Sequence, residues 1–177
     1  DIALGGGWAG NIKNAGFKGE ITYFISDDSS EVNSTSLSTS IDYSFKNGFY
    51  ILGSHLYNSN GFSDPQEFNL QSVTQNVLSP KNLMPSKNSY LIQASAFITP
   101  AINASFTLLY GEGINFFFFS PNISYDINSS LDASIIGQFF YINDPVYNTI
   151  PDANNPENFN NPINKINGYY ARLKWSF

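Results

Sequence analysis

Cysteine is absent from the chain, so there is no disulfide framework, no thiolate metal site and no cysteine nucleophile. Charge is scarce: 12% of the 177 residues are Asp, Glu, Lys or Arg, half of the ~25% usual in a globular domain. The balance is acidic, with a formal net charge of -6, which leaves no basic footprint for nucleic acid. No stretch approaches the ~18 uninterrupted apolar residues of a membrane-spanning helix, which excludes a helical membrane protein. A sustained 3.6-residue apolar period is missing as well, and with it the signal for amphipathic helices. The one Met is internal, and the first residues lack a basic stretch followed by an apolar core. A chain without its secretory signal, whether mature, trimmed or part of a longer protein, is the expectation.

What the chain has in quantity is aromatic side chains, 16 Phe, 11 Tyr and 2 Trp, interleaved with Ser, Thr and Asn. Nine runs of about ten residues read as strands, at 3-12, 17-27, 36-46, 49-58, 89-99, 104-111, 115-127, 131-143 and 166-177. Clusters of Asn, Gly, Asp and Pro divide them. Asn47-Gly48 is the strongest hairpin signal and predicts a two-residue type I′ turn. The connections alternate in length. Those at 13-16, 47-48, 100-103 and 128-130 are tight, whereas 26-34, 59-88 and 144-165 are long; only 111-114 departs from the alternation. If neighbouring strands are antiparallel, tight turns gather at one end of the sheet and long loops at the other. A soluble sandwich has no reason to sort its loops in this way; a membrane-spanning barrel does.

Side chains on a strand alternate between faces. In 131-143 one face reads Leu131, Ala133, Ile135, Gly137, Phe139, Tyr141, and the other carries Asp132, Ser134 and Gln138. The strand charges Lys18, Glu20, Asp42, Asp126, Asp132, Arg172 and Lys174 all fall on the polar face. Together with His55 they are the expected lining of a lumen, where a mixed-sign set would tune passage of solutes while also satisfying its own members. Phe45, Tyr125, Trp175 and Phe177 would form an aromatic girdle at the tight-turn end, and Tyr23, Tyr110 and Tyr141 one at the other. The competing reading is a soluble antiparallel barrel or sandwich with the apolar face inside.

The ending Tyr169-Tyr170-Ala171-Arg172-Leu173-Lys174-Trp175-Ser176-Phe177 resembles the terminal β-signal of Gram-negative outer-membrane proteins. Tyr169, Ala171, Leu173, Trp175 and Phe177 are the alternating positions that the resemblance assigns to recognition by the assembly machinery. The stretch 10-20, with Ile41-Asp42-Tyr43-Ser44-Phe45 and Leu56-Tyr57-Asn58, is similar to larger porin-like barrels, and the composition suits Bacteroidetes-type bacteria. The resemblance implies an antiparallel up-and-down transmembrane β-barrel in the cell outer membrane, in contact with lipid and lipopolysaccharide, either alone, as a homo-oligomer or within a larger membrane complex. Bacterial barrels have an even number of strands. Nine therefore suggests the carboxyl-terminal part of a larger barrel; eight would serve if the Gly-rich first run were not a barrel strand, and ten would need another strand within 60-88.

The function expected is passive diffusion of small hydrophilic solutes, with no enzymatic activity, no cofactor and no metal. The alternative is a non-conducting barrel with a structural, adhesion or complex-subunit role. His55 is the one candidate general base, yet no nucleophile elbow, HExxH motif or metal spacing accompanies it. The loop acids Asp27, Asp28, Glu31, Asp144, Asp152 and Glu157 form no spaced calcium motif and read as solvated loop charge.

Overall fold

Aromatic and β-branched residues spaced by Ser, Thr and Asn fit a pleated surface with two unlike faces, and the chain adopts it. In the computed structural model, which describes residues 1–27, 32–64, 81, 83–141, 151–152, 155–159 and 165–176, the strands are β1 (Ile2–Ile12), β2 (Ala15–Ile25), β3 (Ser34–Ser44), β4 (Tyr50–Asn58), β5 (Asn88–Thr99), β6 (Ile102–Gly111), β7 (Phe116–Asn128), β8 (Leu131–Tyr141), β9 (Pro151–Asp152), β10 (Asn155–Phe159) and β11 (Lys165–Trp175). Nine of them form one sheet in the order β1-β2-β3-β4-β5-β6-β7-β8-β11, every neighbouring pair antiparallel. The nine expected segments match these strands with end shifts of two residues or fewer. β9 and β10 pair with each other as a separate hairpin inside the long connection between β8 and β11.

The described sheet is open rather than closed into the expected barrel: β1 and β11 each have a strand on one side only. In nine alternating strands the first and last run in the same direction, so they have no antiparallel register with each other.

Tight turns follow β1, β3, β5 and β7, and the longer connections follow β2, β4 and β8. Lys13 takes φ 56 between β1 and β2, in the left-handed region that side chains avoid. The expected two-residue turn at Asn47-Gly48 is instead a three-residue loop. The Phe45 N–H donates to the Phe49 carbonyl at 2.8 Å, the Gly48 N–H donates to the Phe45 carbonyl at 3.1 Å, and Gly48 alone has positive φ (81). This is the type I turn closed by a left-handed glycine bulge.

Two strand glycines are covered by a ring from the neighbouring strand. Gly19 pairs with Trp8 and Gly10 with Phe17, and a Cβ on either glycine would meet the facing ring within 3 Å. At these two positions the ring of the partner takes the place of the missing side chain, whereas an added Cβ on Gly6 would meet nothing within 4 Å. Between Phe119↔Phe139 and Asn122↔Ile136 the β7–β8 ladder is interrupted. Pro121 sits there without an N–H to donate, and its ring lies 3.3 Å from where a Gly137 Cβ would be.

The exception at 111-114 also has a structural account. The turn between β6 and β7 is held by the two ends of the β4–β5 connection. Glu112 N–H donates to the Asn88 carbonyl at 2.9 Å, and Phe62 and Lys87 exchange hydrogen bonds with the opposite leg at 2.8 and 2.9 Å. Ile114 and Ser86 are fully buried there, as is nearly all of Asn58. Gly113 has φ 88, and a Cβ on it would meet the Ser63 carbonyl at 2.6 Å.

Candidate functional site

The candidate site is the polar face of the nine-stranded sheet, and the register fixes its members. Lys18 pairs with Ser40, Glu20 with Ser38, and Asp42 with Gly16 and Leu52. On the far side Asp126 pairs with Asp132, Asp132 with Lys174, and Ser134 with Arg172. These pairings place all seven charges on one face. They form two groups, one on β2–β3 and one on β7, β8 and β11, separated by β4–β6, which contribute Ser54, Gln93, Ser105 and Thr107. Among the described residues the ion pairs involve Asp1, Asp27 and Lys81; none joins two of the seven. Their charges are therefore presented to whatever fills that side rather than consumed by neighbours.

His55 is a correction. It pairs with Thr39 and Tyr90, on the face of Ile41, Ile51 and Ile92, opposite the seven charges. Its ring stacks on Tyr90 with centroids 5.0 Å apart, and its Nε2 lies 3.1 Å from Asn88 Oδ1. Neither of these two partners, Tyr90 and Asn88, is a carboxylate. His55 instead begins a cross-strand row of ring side chains: Tyr90, Tyr110, Phe117 and Tyr141 in successive register positions. Lys165 ends the row at the long-loop rim. The Tyr90 hydroxyl donates to Glu112 and that of Tyr110 to Asn115 Oδ1, both at 3.3 Å, while Asn33 Nδ2 donates to the Tyr23 hydroxyl at 3.0 Å. The polar tips reach loop residues and the ring bodies stay below them. The sequence signal for His55 was its parity with Ile51, Gly53 and Tyr57, which outweighs its polarity.

Between this row and the turn end the apolar face is uncovered. Ile41, Ile135, Leu173 and Trp175 are 60, 70, 73 and 75% exposed, and fully buried apolar side chains among the described residues are confined to Ala94 and Ile114. Among the described residues no protein core receives the apolar face. Tyr169, Ala171, Leu173 and Trp175 lie on it, in register with Gly137, Ile135, Ala133 and Leu131; Phe177 lies outside the described residues. Tyr125 is on the same face near the turns, and Phe45 lies in the turn after β3.

One part of the polar face was missed. In the row nearest the long loops Leu91, Leu109, Phe118, Phe140 and Ile166 are successive partners. The rings of Phe118 and Phe140 are 4.5 Å apart and Phe116 adds to them at 6.4 Å. The run of four Phe at 116-119 supplies both faces, which is why a two-colour reading of it concealed the inner pair. Among the loop acids, Asp27 is described and exposed, paired with the terminal ammonium of Asp1. Asp28, Glu31 and Asp144 lie outside the described residues. Among the described residues no group of three His, Asp or Glu is placed to hold a metal ion. Comparison of the chain with protein-family models, with curated proteins and with solved structures returns no match.

Proposed function

We propose that this chain forms the wall of an outer-membrane β-barrel of porin type, with its apolar face against lipid and its polar face along a path for small hydrophilic solutes. The observation that carries this reading is the exposed apolar face, free of charge below a ring-bearing rim whose polar tips point to the loops. In water such a face would drive aggregation; in a bilayer it is the expected lipid contact, with aromatic residues at the interfaces. The 11 residues of β8, at about 3.3 Å each and tilted about 40°, climb about 25 Å, the height of a barrel's apolar band.

Backbone groups in hydrocarbon must all be paired, so the free edges of β1 and β11 need partners. Because these strands run in the same direction, antiparallel closure takes an odd number of further strands. A ring of about 14-18 would leave an aqueous lumen. The terminal positions Tyr169 to Trp175, with Phe177, would then serve the assembly machinery, and lipopolysaccharide would meet the loop-end rim. The charged groups on the polar face would set ion preference by their field.

The full-length protein in a planar bilayer tests the reading. Stepwise ion current is the expected result, and membrane insertion without current removes the diffusion function. A second reading, a barrel whose interior is filled, is favoured by the packed Phe116, Phe118 and Phe140 on the polar face. That same absence of current is its signature.

A further inference from the structure

The polar face of β1–β3 contains a cavity of about 290 Å³ lined by Glu20, Thr22, Phe24, Ser36, Ser38 and Leu83. The register builds it as a grid: Glu20 beside Ser38, Thr22 beside Ser36, Phe24 beside Ser34. On the flank, β1 sets Gly7, Gly5 and Ala3 against Glu20, Thr22 and Phe24, so nothing larger than a methyl group occupies that side. Leu83 reaches the cavity from the β4–β5 connection.

Ser36, in the wall of the cavity, is 9% exposed. Next to it along β3, the Ser34 Oγ is buried and has no hydrogen-bond partner among the described residues. Glu20 takes part in none of the ion pairs among the described residues. Buried hydroxyls without partners are rare in folded proteins and point to a group that has yet to arrive.

We propose that this cavity is a binding subsite for a neutral polyhydroxylated solute of monosaccharide size. It deepens the channel reading and rests on the polar face being the one that solutes meet. The chemistry selects the class. The Glu20 carboxylate accepts hydrogen bonds from two adjacent hydroxyls, while Thr22, Ser36 and Ser38 each donate and accept. The Phe24 ring offers a flat apolar surface to the C–H face of a sugar ring. Lys18, two residues before Glu20 on the same face, carries the opposite charge, so the local field has no single sign. A single carboxylate among hydroxyls is a poor cage for a divalent ion. The volume lies at the small end of ligand cavities, about 300–1,000 Å³, and fits one ring.

Titration calorimetry of the full-length protein in detergent, with glucose as the probe, tests the subsite independently of conduction. Wild-type protein is expected to bind glucose with a Kd of about 1–10 mM. Glu20→Gln weakens binding about tenfold and Phe24→Ala about fivefold, whereas Lys46→Ala in the exposed turn after β3 leaves it unchanged. Gly5→Leu, which would fill the flank beside Thr22, abolishes binding; unaltered strand content by circular dichroism shows that each variant is folded. Absence of glucose binding up to about 100 mM, with ion current intact in a bilayer, overturns the subsite while leaving the channel. Equal binding to wild type and both cavity variants, or equal binding of glucose and acetate, also overturns it. Glucose binding lost in the variants, in a protein that carries no current, upholds the subsite and removes the channel.

Discussion

The two faces of the sheet come from the same strands and follow different principles. Below its ring-bearing rim the apolar face is alike from β1 to β11: Leu4, Ile21, Ile41, Ile92, Ile123, Ile135 and Leu173 are interchangeable in kind, each exposed. The polar face is graded. It is charged near the turns, hydroxyl-rich in the middle, and apolar near the loops on β5–β8, whereas on β1–β3 it stays open. If the apolar face meets lipid, as proposed, it needs only average character, so any apolar residue serves at any position. A face that meets defined solutes or its own packing is specified residue by residue.

Substitutions at neighbouring positions break or sharpen this contrast. The largest effect is expected at Ile135, where Lys would cost roughly 2–4 kcal/mol of stability in lipid, while Ser134→Lys on the other face stays near neutral. Urea titration of the protein in phospholipid vesicles measures both, and equal costs would end the two-face reading. Gly113→Ala comes next, at about 2 kcal/mol, because a Cβ is strained at φ 88 and meets the Ser63 carbonyl. Its signature is faster proteolysis of the β4–β5 connection with little change in strand content.

Asp132→Asn, beside Lys174 and Asp126, should shift the ratio of anion to cation permeability toward anions by about twofold, as one screened charge allows. A reversal potential in a salt gradient reads it, and no shift would place Asp132 away from the ion path. The smallest change is a gain: Lys13→Gly relieves a left-handed residue and should stabilise by about 1 kcal/mol, seen in the same urea titration. A loss there would mean that the Lys13 side chain has a role of its own.

The strands were legible in the sequence because period-2 alternation is a local property, and each face needs only the next residue but one to declare itself. Even the doubtful glycine run was recoverable in principle, since Trp8 and Phe17 lie within reach of Gly19 and Gly10 in a short hairpin. The seven polar-face charges were legible for the same reason. What failed required knowledge of depth or of distant chain. His55 was assigned by polarity, but near the rim a ring with one polar edge belongs on the apolar face with the tyrosines. The turn at Asn47-Gly48 depended on whether Asn47 would also turn left-handed, and it does not. The cavity at Glu20 and Ser36 needs β1, β2, β3 and Leu83 together, and no window of sequence contains all four.

The interrupted ladder at Pro121 bears on how the sheet responds to load. An antiparallel wall resists shear through its rungs, and here rungs are missing opposite Gly137 in the middle of a long strand pair. That spot is a compliant seam: amides flanking it should exchange with deuterated solvent sooner than those above and below, and any change in curvature would concentrate there. The sheet would thus have one compliant line, beside the Asn122 side-chain Oδ1 that is buried without a partner among the described residues.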